Sequence, residues 1–239
     1  MSDLKFLTRR PIAHRGLHDL NVRRWENTLP AFEAAARAGY AIECDLRLTS
    51  DGVPVVFHDA DLKRLAGRDG HVRDSTAVEM CSYAIGGTAD RAPTLDDLLD
   101  LIAGRAPLVL ELKGDHGHDD GLVAAVGERL KGYRGEAAIM SFDHWLIRKF
   151  RAQAPGIPAG LTAHGKKPAD MEAHFSMLAH DIDFVSYAWE HLPNPFVAFF
   201  RQKLGRPVIT WTVRDDTAVK ATFAHADQMT FEGFLPGVV

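Results

Sequence analysis

The feature that most restricts the fold is a regular alternation of short apolar runs with longer stretches of helical spacing. Eight runs have the length and apolar character of buried strands: Pro11 to His14, Tyr40 to Leu46, Pro107 to Lys113, Ala137 to Phe142, Pro158 to Leu161, Phe184 to Tyr187, Pro207 to Trp211 and Gln228 to Phe231. Helical spacing occupies Leu29 to Ala38, Leu95 to Ile102, Gly121 to Leu130, His144 to Gln153, Ala169 to Leu178, Pro195 to Lys203 and Asp216 to His225. Strands alternating with helices predict a parallel sheet covered by helices, in the α/β class. Alternation of this length fits a (β/α)8 TIM barrel better than an open doubly wound sheet. With 239 residues, 46% of them hydrophobic, the chain fills one core with little left over, so one domain over 1–239 is expected.

One stretch interrupts the alternation. After the second run, Thr49-Ser50-Asp51-Gly52 is a turn signal, Val53 to Phe57 reads as a returning strand, and a Gly- and charge-rich segment follows. Residues 49 to 94 are therefore expected to be an insertion that leaves the barrel mouth.

Two carboxylates at i and i+2, Glu43 and Asp45, share one face of a strand, while Cys44 takes the other. Glu111 and Lys113 repeat the spacing at the carboxyl end of the next barrel strand, where barrels place their active sites. Three carboxylates packed this closely repel one another unless a cation holds them together. Oxygen ligands alone favour one divalent ion, Mg2+ or Ca2+, over zinc. The competing structural reading pairs the acids with Arg47 and Lys113. His14 and His58, each at a strand end, suit general acid and base work near neutral pH. Arg15 offers a forked contact to a phosphate and Lys113 a point charge.

Other histidines carry less. His116 and His118 share a loop with Asp115, Asp119 and Asp120, which reads as solvated rather than as a second metal site, and His71, His164, His174, His180, His191 and His225 show no ligand spacing. A formal charge of −4 gives no field for nucleic acid. Cys44 and Cys81 are too few for a disulfide framework and lack CxxC spacing. No apolar run approaches a signal peptide or a membrane span, so a cytoplasmic protein without stable membrane insertion is expected. Walker, GxGxxG and GxSxG motifs are absent from the sequence.

The order of residues resembles the glycerophosphodiester phosphodiesterase family. In IAHRGLHDLNVRRWENTLPAFEAAARAGYAIECDLRLTSDGVPVVFHD, an HRG is followed by ENT, ExD and DGxxVxxHD. The segment DLKRLAGRDGHVRDST, the phrase APTLDDLL, ELK at 111–113, SF at 141–142 and WTV at 211–213 then follow in order. The resemblance implies a barrel with a small insertion, a divalent ion on Glu43, Asp45 and Glu111, and acid-base catalysis by His14 and His58. It further implies phosphate contacts from Arg15 and Lys113, a cleft lined by Trp211, and a small glycerophosphodiester as substrate. Expected products are glycerol 3-phosphate and an alcohol. Rival readings are a phospholipid or lysophospholipid phosphodiesterase on the same barrel, and a binding protein that has lost catalysis. Two departures stand out: Trp25 precedes ENT in a lengthened loop, and Thr230 is followed by Phe231-Glu232 where the family often has Asp. Glu232 is a candidate replacement.

Overall fold

A computed structural model describes residues 4–118 and 121–237. Its strands are β1 (Ile12–Ala13), β2 (Ala41–Leu48), β3 (Pro54–Val56), β4 (Leu108–Leu112), β5 (Ala137–Ser141), β6 (Ala159–Ala163), β7 (Phe184–Ala188), β8 (Val208–Val213) and β9 (Gln228–Phe231). All except β3 pair in parallel, in the order β1-β9-β8-β7-β6-β5-β4-β2, and β1 also pairs with β2. The last pairing closes the sheet into an eight-stranded (β/α)8 barrel, as the alternation predicts. β2 runs two residues further than its apolar run because β3 folds back antiparallel on its end, with Leu46 opposite Val56 and Leu48 opposite Pro54.

Local chemistry fixes the helices. Thr94 begins Leu95–Ile102 with a capping box, its hydroxyl accepting from the Asp97 N–H while the Asp97 carboxylate accepts from the Thr94 N–H. Asn194 and Asp215 cap Pro195–Gln202 and Asp216–His225 in the same sense. The expected helix at Ala169 starts one residue earlier, at Pro168, since the first helical turn needs no N–H there.

Three apolar clusters divide the work. The largest lies between barrel and helices. A second fills the amino-terminal end of the barrel, where Phe6 and Leu7 of a 3-10 turn (Leu4–Leu7) pack with inward residues such as Ile12, Ala41, Val109, Phe184 and Ile209. This apolar plug leaves the carboxyl ends of the strands for polar side chains. The third belongs to the segment between β2 and β4, where Val55, Phe57, Leu62, Leu65, Val72, Met80 and Ile85 bury one another. Trp25, the departure before ENT, packs against this third cluster. A Cβ on Gly86 would meet the Trp25 ring at 1.9 Å, so that glycine makes room for the indole.

Candidate active site

Strand register brings the acids together. On β2 and β4, Asp45 is the direct partner of Glu111, and Glu43 lies one inward position deeper. One oxygen from each of the three lies within 4.8 Å of the others, and all three residues are buried. Lys113 donates to Glu111 and lies 3.2 Å from Asp45 Oδ1. Arg47, the other cation of the structural reading, instead donates to the His58 carbonyl at 2.8 Å. Lys113 therefore serves two of the acids, and Glu43 Oε1 is left buried with no protein partner among the described residues.

The electrostatics follow from this packing. Burial and the charges of Asp45 and Glu111 push the Glu43 carboxyl well above its ordinary range. Glu111 is also raised, chiefly by burial. For Asp45 burial is outweighed by Lys113 and Arg15, and its carboxyl is lowered. Lys113 is raised because its partners Asp45 and Glu111 outweigh its own burial.

The loop after β1 wraps the acids from above. Arg15 (φ 55°) donates its N–H to Glu43 Oε2 at 2.9 Å, and its guanidinium reaches Glu26 at 2.6 Å and Asp45 at 3.4 Å. Gly16 has φ 78°, and a Cβ there would lie 2.9 Å from both the Ala31 carbonyl carbon and the Phe32 ring, so only glycine fits this turn. Asn27, also left-handed at φ 56°, donates to Asp45 Oδ2 at 2.8 Å. Glu26 accepts from Asn21, Arg15 and both terminal nitrogens of Arg64. Burial opposes ionisation of Glu26, but those donors prevail and hold it at about 2.

Each of the two expected histidines has a carboxylate on Nδ1. His14 Nδ1 lies 2.5 Å from Glu232 Oε2, and His58 Nδ1 lies 2.7 Å from Asp59 Oδ1. Each carboxylate is in turn held by an arginine: Arg214 donates to Glu232 at 2.8 Å, and Arg64 clamps both Asp59 oxygens at 2.7 and 2.8 Å. A carboxylate on Nδ1 keeps the proton there and turns Nε2 toward the cavity. On the His14 side Nε2 lies 4.0 Å from Glu43. Burial lowers the pKa of both rings, opposed at His14 by Glu232 and at His58 by the charge of Asp45.

One open cavity of about 200 Å3 is lined by His14, His58, Glu43, Asp45, Glu111, Arg15, Lys113 and Trp211, all eight of the expected site residues. Trp211 forms its aromatic wall with Phe142, ring centres 5.2 Å apart and edge to face. Sequence reasoning did not assign Asn27, Glu26, Asp59 or Arg64, although ENT and HD were visible as words. The loop beyond Glu111 is partly tied down, with Asp115 bound twice by Arg73 at 3.0 Å, while Asp119 and Asp120 lie outside the described residues.

The family model for the glycerophosphoryl diester phosphodiesterase family matches residues 14–235. The chain belongs to that family. A glycerophosphodiester phosphodiesterase of Caldanaerobacter subterraneus is 34% identical over 162 residues, which cover 63% of this chain and 65% of that protein. The chain thus spans less than two thirds of the length of the first curated relatives it matches. Among solved structures, a putative glycerophosphoryl diester phosphodiesterase of Silicibacter pomeroyi superposes with a TM-score of 0.79 at 26% identity, covering 94% of this chain and 90% of that one. A phosphodiesterase of Oleispira antarctica, solved with the product sn-glycerol-3-phosphate, shares the fold with a TM-score of 0.81 at 24% identity, covering 95% and 94%.

Proposed function

We propose that this chain hydrolyses glycerophosphodiesters to glycerol 3-phosphate and an alcohol, with the help of one divalent cation. The observation that carries the reading is the convergence of three buried carboxylates and two carboxylate-backed histidines on one cavity, in a chain of this family.

The donor set fits a hard ion. Glu43, Asp45 and Glu111 present only oxygens, they are close enough to share one cation, and the partnerless Glu43 Oε1 gains a ligand role that no side chain fills. Mg2+ or Ca2+ bound there would supply Lewis-acid neutralisation of phosphate charge. Arg15 and Lys113, both at the same cavity, add fixed positive charge for the non-bridging oxygens. His14 and His58 present Nε2 toward the reacting phosphorus. One imidazole, neutral at Nε2, takes a proton from the nucleophile, and the other, entering as the imidazolium with its charge balanced by the carboxylate on Nδ1, gives its Nε2 proton to the departing alcohol oxygen as the bond from that oxygen to phosphorus breaks. Across the whole reaction one water is consumed. Glu232 and Asp59 hold the two rings in the required tautomer, and Trp211 walls the cleft.

The same proposal covers residues 1–239 as a single barrel domain with an insertion at about 49–94, acting on a small molecule in the cytoplasm. Both cysteines are unpaired, as a reducing compartment allows, and no helix of the described residues is long and apolar enough to cross a membrane. The test is a product assay on glycerophosphocholine, glycerophosphoethanolamine, glycerophosphoglycerol and glycerophosphoinositol, each with EDTA and with Mg2+ or Ca2+ restored. Metal-dependent release of glycerol 3-phosphate from at least one is expected. No release from any of them would overturn the reading.

A further inference from the structure

Across the cavity from the acids, four neighbouring strands each present one polar atom that no described residue satisfies. Thr162 on β6, Ser186 on β7 and Thr230 on β9 are no more than 2% exposed, and Trp211 stands between the last two on β8. All four line the same cavity as the acids. Their three hydroxyls and the Trp211 indole N–H are buried with no hydrogen-bond partner among the described residues. Thr162 and Ser186 are direct partners across the sheet.

Elsewhere on the barrel strands buried hydroxyls are used. Thr210 on β8 bonds Thr222 at 2.7 Å, and Ser141 on β5 donates to the Leu112 carbonyl at 2.6 Å. A buried hydroxyl without a partner is destabilising, and valine or alanine would fill the same space more favourably if packing were the only task. The layer just beneath is apolar on the neighbouring strands, with Ala138, Phe184 and Ile209, and its one polar member, Gln228 below Thr230, is satisfied by donating to the Thr8 carbonyl. Hydroxyls at this level therefore point to a ligand.

The chemistry of the row selects the ligand. Hydroxyls both donate and accept, carry no charge, and match other hydroxyls. Three cationic side chains reach this cavity: Arg15 and Lys113 pair with Glu26, Asp45 and Glu111 on the acidic side, whereas Arg214, just past β8, is held by Glu232, so the phosphate belongs with the two cations beside the acids. Faces of Trp211 and Phe142 offer apolar contact for a short carbon chain.

We infer that Thr162, Ser186, Thr230 and the Trp211 N–H form a polyol subsite that holds the glycerol moiety of the diester. This rests on the phosphodiesterase reading and assigns the orientation of its substrate: phosphate toward β2 and β4, glycerol toward β6, β7 and β9. Each glycerol hydroxyl gains a protein partner, and the row loses its unsatisfied groups.

Near-isosteric variants test it: Thr162→Val, Ser186→Ala and Thr230→Val. For each, kcat/KM is measured on glycerophosphocholine and on bis(4-nitrophenyl) phosphate, which has no aliphatic hydroxyl. The expected result is a fall of roughly fivefold per hydroxyl in the ratio of the first to the second, carried mainly by KM. Melting temperature is expected to hold or rise, because no protein partner is lost. Calorimetry adds a readout independent of turnover: affinity for glycerol 3-phosphate relative to methyl phosphate should fall by the same factor. An unchanged ratio in all three variants, or an equal fall on both diesters, overturns the inference. Glycerophosphoinositol is assayed alongside, and a fall confined to it would place the alcohol there instead and also overturn the inference. If the wild type cleaved neither diester, the phosphodiesterase reading would fail, while the calorimetric comparison would still decide the subsite.

Discussion

On β2 and β4 the inward side chains at the cavity are Glu43, Asp45 and Glu111; on β6, β7 and β9 they are Thr162, Ser186 and Thr230. The two sides share strand geometry and burial and differ in what surrounds them. The acidic side is held by a second layer from distant loops, with Asn27 on Asp45, Arg15 on Glu43, Glu26 and Asp45, and Lys113 on two acids. The hydroxyls of the other side have no hydrogen-bond partner among the described residues. Charge in a low-dielectric interior must be compensated at short range, so a charged site recruits loops, whereas a neutral site can be written into the strands alone.

The largest expected effect falls on the acidic side. His14→Ala and His58→Ala should each lower kcat by about 10²–10⁴-fold with an unchanged far-ultraviolet spectrum. Near-normal turnover in either variant would remove that ring from the acid-base pair. Asn27→Ala comes next: it strips a hydrogen bond from Asp45 and should weaken the apparent affinity for the activating ion by about 10–100-fold, read from activity against ion concentration. An unshifted titration would mean that the outer layer is dispensable.

A smaller effect tests the layer through pH. Arg64 holds Glu26 and Asp59 at about 2, against ordinary values of 4.5 and 3.8. Because the folded state binds those protons less readily than the unfolded chain, the clamp contributes stability above about pH 4.5 and loses it as pH falls toward 2. Arg64→Ala should therefore melt several degrees below wild type at pH 7, with the gap closing toward pH 2. A constant gap would assign the loss to packing. Smallest is a contrast within the neutral groups. Thr210→Val leaves Thr222 without its partner and should cost about 1–3 kcal/mol, whereas Ser186→Ala should change stability by less than about 0.5 kcal/mol in chemical denaturation. Equal costs would erase the distinction between satisfied and orphaned hydroxyls.

Strands and acids were legible because both depend on period. Alternation along β2 put Glu43 and Asp45 on one face before any tertiary contact was known, and the predicted start of each barrel strand falls within one residue of the observed one. Asn27, Glu26 and Arg64 were not legible as site residues. Their roles need left-handed turns at Arg15 and Asn27 that fold the loop back over β2, which no local propensity encodes. Glu232 was visible as an oddity, yet its contact with His14 spans 218 positions and exists only because β9 pairs with β1. Phe231 meanwhile packs its ring edge to face against Tyr40, outside the barrel, and alternation sends the next residue, Glu232, to the other face and onto His14. The insertion resisted reading for a different reason: its two α-helices, Lys63–Ala66 and Ala77–Met80, are only four residues each and its 3-10 helix, Val72–Asp74, only three, too short for periodicity, and they are held by the cluster around Leu65, Val72 and Met80.

Catalysis at this site turns on whether Glu43, Asp45 and Glu111 together hold one divalent ion. Calorimetric titration of EDTA-stripped protein with Mg2+ and with Ca2+ measures this directly, on wild type and on Glu43→Gln and Asp45→Asn. One ion bound per chain by the wild type, with affinity lost in both variants, is the predicted result. Absence of binding by the wild type, or binding that both variants retain, would contradict it.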